Sequence, residues 1–140
     1  KKIQNLIRIA ADARKFSYAP YSHFAVGAAL LGADAKIYTG CNIENAAFTP
    51  GNCAERTAIF KAVSEGCREF SAIAIVGGKL DEDALAQAGY TAPCGVCRQV
   101  LREFVNPSAF AVILARTIEA YKVYTLEELL PESFGPENLK

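Results

Sequence analysis

The segment SAIAIVGG, residues 71–78, is an unbroken run of small, apolar and β-branched residues. A strand with one face in water alternates apolar and polar side chains, whereas a strand covered on both faces is apolar throughout. This segment therefore predicts a central strand with helices packed on both of its sides. SAFAVILAR, residues 108–116, has the same character and predicts a second buried strand.

Further strands on either side complete the predicted sheet. FAVGAALL (24–31) and KIYTGCNIEN (36–45) are joined by the short turn GADA and predict an antiparallel pair. YKVYT (121–125) predicts a strand that returns antiparallel to the one at 108–116, because the intervening TIEA is too short for a crossover. The sheet is therefore expected to be mixed, with five strands in total.

Four segments predict helices. Apolar residues recur at helical spacing over 3–15 and over CAERTAIFKAVSEG (53–66), which ends at a glycine that can stop a helix. PCGVCRQVLREFV predicts a third helix near 95–105. Thr125 and Glu128 have the spacing of a capping box and predict the start of a short last helix.

Together these elements predict an α/β fold, specifically a three-layer α/β/α sandwich around a mixed five-stranded sheet. Residues 1–140 are expected to form one domain, since 140 residues with 51% hydrophobic content suit a single buried core. KLDEDALAQAGYTA (79–92) is expected to form a loop or one helical turn.

Charge and cysteine content narrow the function. Fifteen basic residues balance fifteen acidic ones, so the chain lacks the basic footprint of a nucleic-acid partner. We also expect no membrane partner and a cytoplasmic location, because no segment approaches the ~20 apolar residues of a membrane span and no signal-like leader opens the sequence. Five cysteines are an odd number for a disulfide framework, which points to metal binding or thiol chemistry.

Cys53, Cys94 and Cys97 carry the strongest chemical signal. Each lies at or beside a predicted helix start, where free backbone N–H groups and the positive end of the helix dipole favour thiolates. Zinc with three protein ligands keeps its fourth tetrahedral position for water, which is the pattern of catalytic sites. The spacing therefore favours one catalytic Zn²⁺ per chain.

These cysteines also suit two roles other than catalytic zinc binding. A C-x-x-C pair is often a redox pair or half of a structural zinc site, and a structural site would need a fourth ligand from Cys41, Cys67 or His23. Cys41 is more simply a small core residue, Cys67 a partly exposed thiol and His23 a surface residue in a loop. The redox alternative is weaker, because this motif opens a late helix and has Cys53 as a third partner.

Glu55 and two arginines suit a catalytic metal. A carboxylate beside zinc can take a proton from water and deliver it to a substrate, although an acidic residue is also common in the first turn of a helix. Three thiolates leave the zinc site negatively charged, which weakens the metal as a Lewis acid. Arg56, which directly follows Glu55, or Arg98 can offset this by donating hydrogen bonds to the sulfurs; a solvated surface position is the alternative for each.

The segments CAE (53–55) and PCGVC (93–97) resemble the zinc-dependent cytidine deaminases. YAPYSHFAVGAAL, GCNIENAAF and LEELLP extend the likeness over nearly the whole chain, and they are similar to the small homotetrameric branch of that family. The resemblance implies a cytidine deaminase-like fold, zinc bound by Cys53, Cys94 and Cys97, and proton transfer by Glu55.

The resemblance also implies five substrate-binding residues, which are Phe24, Asn42, Glu44, Ala54 and Phe134. Asn42 and Glu44 would hold the ribose hydroxyls, since an amide and a carboxylate can pair with a sugar diol. Phe24 would pack on the pyrimidine, although a core strand position is the simpler interpretation of that residue. The backbone of Ala54 would help to read the base edge, and Phe134 would enter the site of a neighbouring subunit.

The implied activity is hydrolytic deamination of cytidine and 2′-deoxycytidine to uridine and 2′-deoxyuridine, with release of ammonia, in pyrimidine salvage. The implied assembly is a homotetramer with shared active sites, and the implied partner is a free nucleoside. Phe48 departs from the family, whose members often carry a tyrosine there. Two alternatives remain: a deaminase of another aminopyrimidine, which should lack the Asn42 and Glu44 pair, and a non-catalytic domain with structural zinc.

Overall fold

The computed structural model describes residues 2–80 and 89–140. Its strands are β1 Phe24–Gly32, β2 Ile37–Cys41, β3 Phe70–Lys79, β4 Ala111–Ala115 and β5 Tyr121–Thr125. Its helices are α1 Lys2–Ala13, α2 Ala54–Ser64, α3 Gly95–Phe104 and α4 Leu126–Leu129. Most of the predicted loop or turn at 79–92 lies outside the described residues.

The five strands form one mixed sheet in the order β2-β1-β3-β4-β5. β3 and β4 run parallel, and the other neighbouring pairs are antiparallel. α3 lies between β3 and β4 in the sequence and belongs to the crossover that a parallel pair requires. β3 is the central strand and six of its consecutive residues, Ile73 to Gly78, are buried, so the prediction from SAIAIVGG is confirmed.

Helices cover both faces of the sheet, which confirms the three-layer prediction. On one face α1 buries Leu6, Ile7 and Ala10 in a cluster with side chains from β1, β3 and β4. On the other face Ile59 of α2 and Leu101 of α3 belong to a larger cluster with the opposite side chains of the same strands. The alternation along each strand therefore supplies two cores.

Two glycines allow α1 and α2 to approach the sheet closely. A Cβ atom at Gly27 of β1 would lie 1.9 Å from the carbonyl oxygen of Ala10 in α1. A Cβ atom at Gly40 of β2 would lie 2.2 Å from the carbonyl oxygen of Ala54 and 2.5 Å from the amide nitrogen of Ala58, both in α2. All three distances are too short for real atoms, so only glycine fits at these two positions. The start of α2 is consequently held against the end of β2.

The helix boundaries agree with the predictions to within a few residues. A 3₁₀ turn at Arg14–Phe16 continues α1. The predicted capping box is confirmed: the amide of Glu128 donates to Thr125 Oγ1 at 3.2 Å, and the amide of Thr125 donates to Glu128 Oε1 at 2.8 Å. Among the described residues, no helix combines the length and the apolar character that crossing a bilayer requires.

Candidate metal and substrate site

Three cysteine sulfurs meet where α2 and α3 begin. Cys53 is the N-cap of α2, Cys94 is the N-cap of α3, and Cys97 lies in the first turn of α3. The Sγ atoms of Cys53 and Cys94 are 4.0 Å apart, and those of Cys94 and Cys97 are 3.5 Å apart. Zinc at about 2.3 Å from each sulfur of a tetrahedral site would separate the sulfurs by about 3.8 Å. The geometry therefore fits zinc.

The environment of Cys53 favours the thiolate state that zinc binds. The hydrogen bond to Cys97 and the Arg56 guanidinium together lower the pKa of Cys53 to about 5. The same hydrogen bond, together with burial, raises the pKa of Cys97. Both N-cap cysteines lie at the positive end of a helix dipole, which favours a thiolate, and neither uses its side chain to cap its helix.

The two arginines that sequence reasoning considered have different positions. Arg56 Nη2 donates to Cys53 Sγ at 3.4 Å, and this contact raises the pKa of the guanidinium. Arg98 instead donates from Nε to the carbonyl of Pro93 at 2.8 Å and from Nη1 to that of Leu129 at 2.5 Å. Arg56 is thus the arginine at the sulfurs, whereas Arg98 binds backbone on either side of α3.

Glu55 is a buried carboxylate next to the cysteine cluster. It lies in the first turn of α2 with only 4% of its surface exposed. Burial, followed by the nearby charge of Cys53, raises the pKa of Glu55 to about 7. A group with this pKa can both accept and donate a proton near neutral pH.

A cavity of about 370 Å³ opens directly onto this cluster. This volume lies within the range of small-molecule sites. Its lining includes the side chains predicted for the metal, the proton transfer and the sugar, together with one loop aromatic: Asn42, Glu44, Phe48, Cys53, Glu55 and Cys94. The predicted sugar-binding residues and the predicted metal and proton-transfer residues are separate in the sequence. The structure brings them to one cavity.

Asn42 and Glu44 are held firmly where the chain leaves β2. Asn42 Oδ1 accepts from the amide of Val26 at 2.9 Å, and its Nδ2 donates to the carbonyl of Phe24 at 2.8 Å. The Glu44 carboxylate accepts from the amide of Tyr21 at 3.0 Å, the amide of Ser22 at 3.2 Å and the Ser22 hydroxyl. The Ser22 hydroxyl is the main reason that the pKa of Glu44 is lowered.

The remaining predicted substrate residues have different surroundings. Ala54 is fully buried and lines the cavity. Phe24 starts β1 and Phe134 follows α4; within the described chain, neither belongs to the lining of this cavity. The side chains of Phe134 and Phe48 are 58% and 98% exposed. These phenylalanines are thus available to a second molecule.

The candidates for a fourth protein ligand lie elsewhere. In residues 2–80 and 89–140, no further His, Cys, Asp or Glu side chain joins the cluster of Cys53, Cys94 and Cys97. Cys67 Sγ donates to the carbonyl of Glu69 at 3.6 Å. This arrangement of the described residues is that of an open site and does not favour structural zinc.

Asn52 and Thr57 are positioning residues that sequence reasoning missed. Asn52 and Ile43 exchange two backbone hydrogen bonds of 2.8 and 2.9 Å, which hold the Asn42 to Glu44 segment beside Cys53. Asn52 Nδ2 donates to Thr57 Oγ1 at 3.3 Å, and that hydroxyl donates to the carbonyl of Cys53 at 3.0 Å. The signal was present, since Asn and Thr around a helix start are typical capping residues.

Comparison with known proteins agrees with this geometry. Residues 1–113 match the family model described as cytidine and deoxycytidylate deaminase zinc-binding region. The cytidine deaminase of Sporosarcina psychrophila is 47% identical over 137 residues, which are 98% of this chain and 94% of that protein. The solved cytidine deaminase of Burkholderia pseudomallei is similar with a TM-score of 0.81 and 45% identity, covering 93% of this chain and 97% of its own. The solved cytidine deaminase of Mycobacterium tuberculosis is similar with a TM-score of 0.76 and 34% identity, covering 94% of this chain and 95% of its own.

Proposed function

The chain belongs to the cytidine and deoxycytidylate deaminase family, and we propose that Cys53, Cys94 and Cys97 hold its zinc while Glu55 moves the protons of the reaction. The enzyme is a hydrolase: water displaces the 4-amino group of cytidine, which gives uridine and ammonia. The proposed substrates are free cytidine and 2′-deoxycytidine, as in pyrimidine salvage.

One observation carries the proposal: an open cluster of three sulfurs and a buried carboxylate share a cavity with Asn42 and Glu44. When bound, zinc activates water as a nucleophile at neutral pH. Arg56 offsets part of the negative charge of the thiolates through its contact with Cys53 Sγ, which supports that activation.

Glu55 supplies the proton transfers. The reaction needs a group that moves a proton from the attacking water to ring nitrogen N3, and that later moves the proton of the new C4 hydroxyl to the amino group as ammonia leaves. A carboxyl with a pKa near neutrality can exchange protons in both directions, and burial at the cavity keeps bulk water away from it. The burial of Glu55 provides both conditions.

The substrate is oriented by side chains from three segments. Asn42 keeps one N–H and acceptor capacity beyond its bonds to Phe24 and Val26, and Glu44 is a fixed carboxylate, so both can bind the ribose hydroxyls. The backbone of Ala54 lines the cavity beside the base, and Phe24 would pack on the pyrimidine. A site with such polar groups discriminates against analogues that lack the hydroxyls.

We further propose a homotetramer with shared active sites in the cytoplasm. Phe134 and Phe48 are exposed aromatic side chains, which supports burial against another subunit. All five cysteines are free thiols, which suits a reducing compartment.

The decisive experiment compares wild type with Glu55→Gln on cytidine, following uridine and ammonia. Loss of general acid–base catalysis should lower kcat by about 10²- to 10⁴-fold, while the protein retains its zinc by metal analysis. Glu65→Gln, at the exposed end of α2, is the matched control and should keep wild-type activity. A zinc-loaded Glu55→Gln enzyme with normal turnover would refute the assigned role.

A further inference from the structure

The outer face of α3 binds the C-terminal segment of the chain through Gln99 and Arg102. Gln99 Nε2 donates to the carbonyl of Phe134 at 2.9 Å. Arg102 donates from Nε to Ser133 Oγ and from Nη2 to Glu137 Oε1, each at 2.7 Å. These contacts hold residues on both sides of Phe134 against the helix that carries Cys94 and Cys97.

Arg102 is unusually buried for a charged residue, with 7% of its surface exposed. A charged side chain at this depth needs partners for its donors, and the C-terminal segment supplies them. Gly135 makes this fit possible, because a Cβ atom there would lie 2.4 Å from Arg102 Cζ and 2.6 Å from Nη1. Its φ of −148° is open to any residue, so the requirement for glycine is space for the guanidinium.

The Phe134 side chain nevertheless remains largely exposed, although the residues around it are bound to α3. The backbone at Phe134 is held by Gln99, and the next residue is fixed by a 2.8 Å hydrogen bond from the Gly135 amide to Asn138 Oδ1. The Phe134 side chain is 58% exposed. These contacts fix the backbone from which the Phe134 ring projects, and they do not bury the ring in its own chain.

We propose that Arg102 is a positioning residue that holds residues 133–137 on α3, so that the Phe134 ring is presented in a fixed orientation to the substrate cavity of a second copy of this chain. This proposal rests on the shared sites of the proposed function and adds the device that orients the shared residue. If residues 133–137 were loosely held, the ring would have to be ordered each time a productive complex forms. The contacts of Arg102 order the segment before substrate binds.

A double-mutant cycle on kcat/KM tests whether Arg102 acts through Phe134. Misplacing or removing the ring should lower kcat/KM by about 10- to 100-fold, so Arg102→Met and Phe134→Ala are each expected to show this loss. The double variant should be no worse than the more impaired single variant, because both changes remove the same contribution. Losses that multiply would overturn the proposal, since Arg102 would then act independently of the ring.

Three further variants separate positioning from folding. Arg102→Lys keeps the charge without the forked geometry and should lose less activity than Arg102→Met. Gly135→Ala should resemble Arg102→Met, because its methyl group displaces the guanidinium. Glu137→Gln removes a surface partner and should raise KM, whereas Glu127→Gln, an exposed control elsewhere, should not. Wild-type kinetics in both Gly135→Ala and Glu137→Gln would contradict the proposal.

A spectroscopic measurement that does not depend on enzyme activity tests whether Arg102 orders residues 133–137. The chain has no tryptophan, so Phe134→Trp introduces a single indole per chain, which can be excited at wavelengths where the six tyrosines do not absorb. Adding Arg102→Met should increase the nanosecond motion of this side chain in fluorescence anisotropy decay, and unchanged motion would overturn the proposal. If wild type failed to deaminate cytidine, the proposed function would fall. If wild type were active and Phe134→Ala fully active, the present proposal and the shared role of Phe134 would fall, whereas the proposed deaminase activity would stand.

Discussion

At the scale of single residues, the position of Glu55 explains its chemistry. It follows the N-cap Cys53 by two residues, so the helix start that directs a sulfur to the metal cluster also directs this carboxylate to the cavity. The geometry of one helical turn therefore places the proposed proton-transfer group beside the metal cluster. A carboxylate on a flexible loop would remain solvated, and its pKa would stay near the ordinary value.

Glu44 is a second carboxylate whose environment acts in the opposite direction. The Ser22 hydroxyl lowers the pKa of Glu44, so the carboxylate stays charged in more acidic solution than usual. Ser22→Ala should raise that pKa towards its ordinary value, and protonation then begins at a higher pH. We therefore expect the KM for cytidine to start rising at a higher pH than in wild type as the solution is acidified.

Measuring KM and kcat over the acidic range checks this prediction. Ser22→Thr keeps a hydroxyl and should behave as wild type, and Ser64→Ala removes an exposed serine whose hydroxyl binds a helix carbonyl far from Glu44. An acidic limb that is identical in Ser22→Ala and wild type would show that the Ser22 hydroxyl does not set the charge of Glu44.

Residue roles were predictable where a local rule decides them. A cysteine at a helix start and a glutamate two residues later occupy known places in the first turn, so their convergence followed from the pattern. Arg56 and Arg98 looked equivalent in sequence, because both adjoin ligand segments. What distinguishes them is the hydrogen bond from Arg98 to the Leu129 carbonyl, which joins residues 31 positions apart.

At the scale of elements, the contact between α2 and β2 sets the distance between the proposed sugar-binding residues and the cysteine cluster. Gly40→Ala would place a methyl group within 2.2 Å of the Ala54 carbonyl, so α2 must move away from the sheet. We expect a loss of about 1 to 3 kcal/mol in the free energy of unfolding. We also expect a lower kcat, because Cys53 and Glu55 move with the helix.

Urea unfolding and cytidine turnover under native conditions measure both effects. Gly89→Ala is the matched control, since none of the described residues beyond its chain neighbours has an atom within 4 Å of the added Cβ. If Gly40→Ala were as stable and as active as Gly89→Ala, the close approach would have no functional importance.

The elements themselves were well predicted because their periodicities are strong. The continuous apolar run identified β3, and the capping box identified the start of α4. Register was not predictable, because it depends on pairing across the sheet. The shift between Leu31 and Gly32, where β1 meets β3, has no signal in either strand alone.

At the scale of the whole molecule, the exposed aromatics suggest that each active site takes residues from two chains. Glu55 would come from the subunit that binds the zinc, and Phe134 from its neighbour. This arrangement predicts complementation between inactive variants. Glu55→Gln subunits carry an intact Phe134, and Phe134→Ala subunits carry an intact Glu55.

Co-expression of these two variants in equal amounts should restore activity. Under random mixing, roughly a quarter of the sites receive both intact residues. The measurement is cytidine turnover of the purified mixed oligomer, with the two separately purified variants, mixed without subunit exchange, as the control. Activity no greater than that of the unexchanged mixture would argue that each site is built from one chain.

Assembly was predicted from family resemblance alone, and it stays a prediction, as does the assignment of residues 1–140 to one domain. Composition could not supply either, because an exposed phenylalanine and a buried one are identical in a sequence. Exposure of Phe48 and Phe134 becomes visible only once the fold assigns every other large apolar side chain to a core or to the surface.

The backbone bridge between Ile43 and Asn52 has a consequence for how new specificities can arise. It closes residues 44–51 into a loop whose two ends are joined, so the bridge and not the loop fixes the distance between Asn42 and Cys53. Glu44 at the start of this loop is held by its own hydrogen bonds with Tyr21 and Ser22. The remaining residues 45–51, with Phe48 at the surface, can thus be lengthened or rewritten without moving the proposed ribose-binding pair. Insertions or substitutions in this part of the loop are therefore a way to engineer the enzyme for bulkier bases.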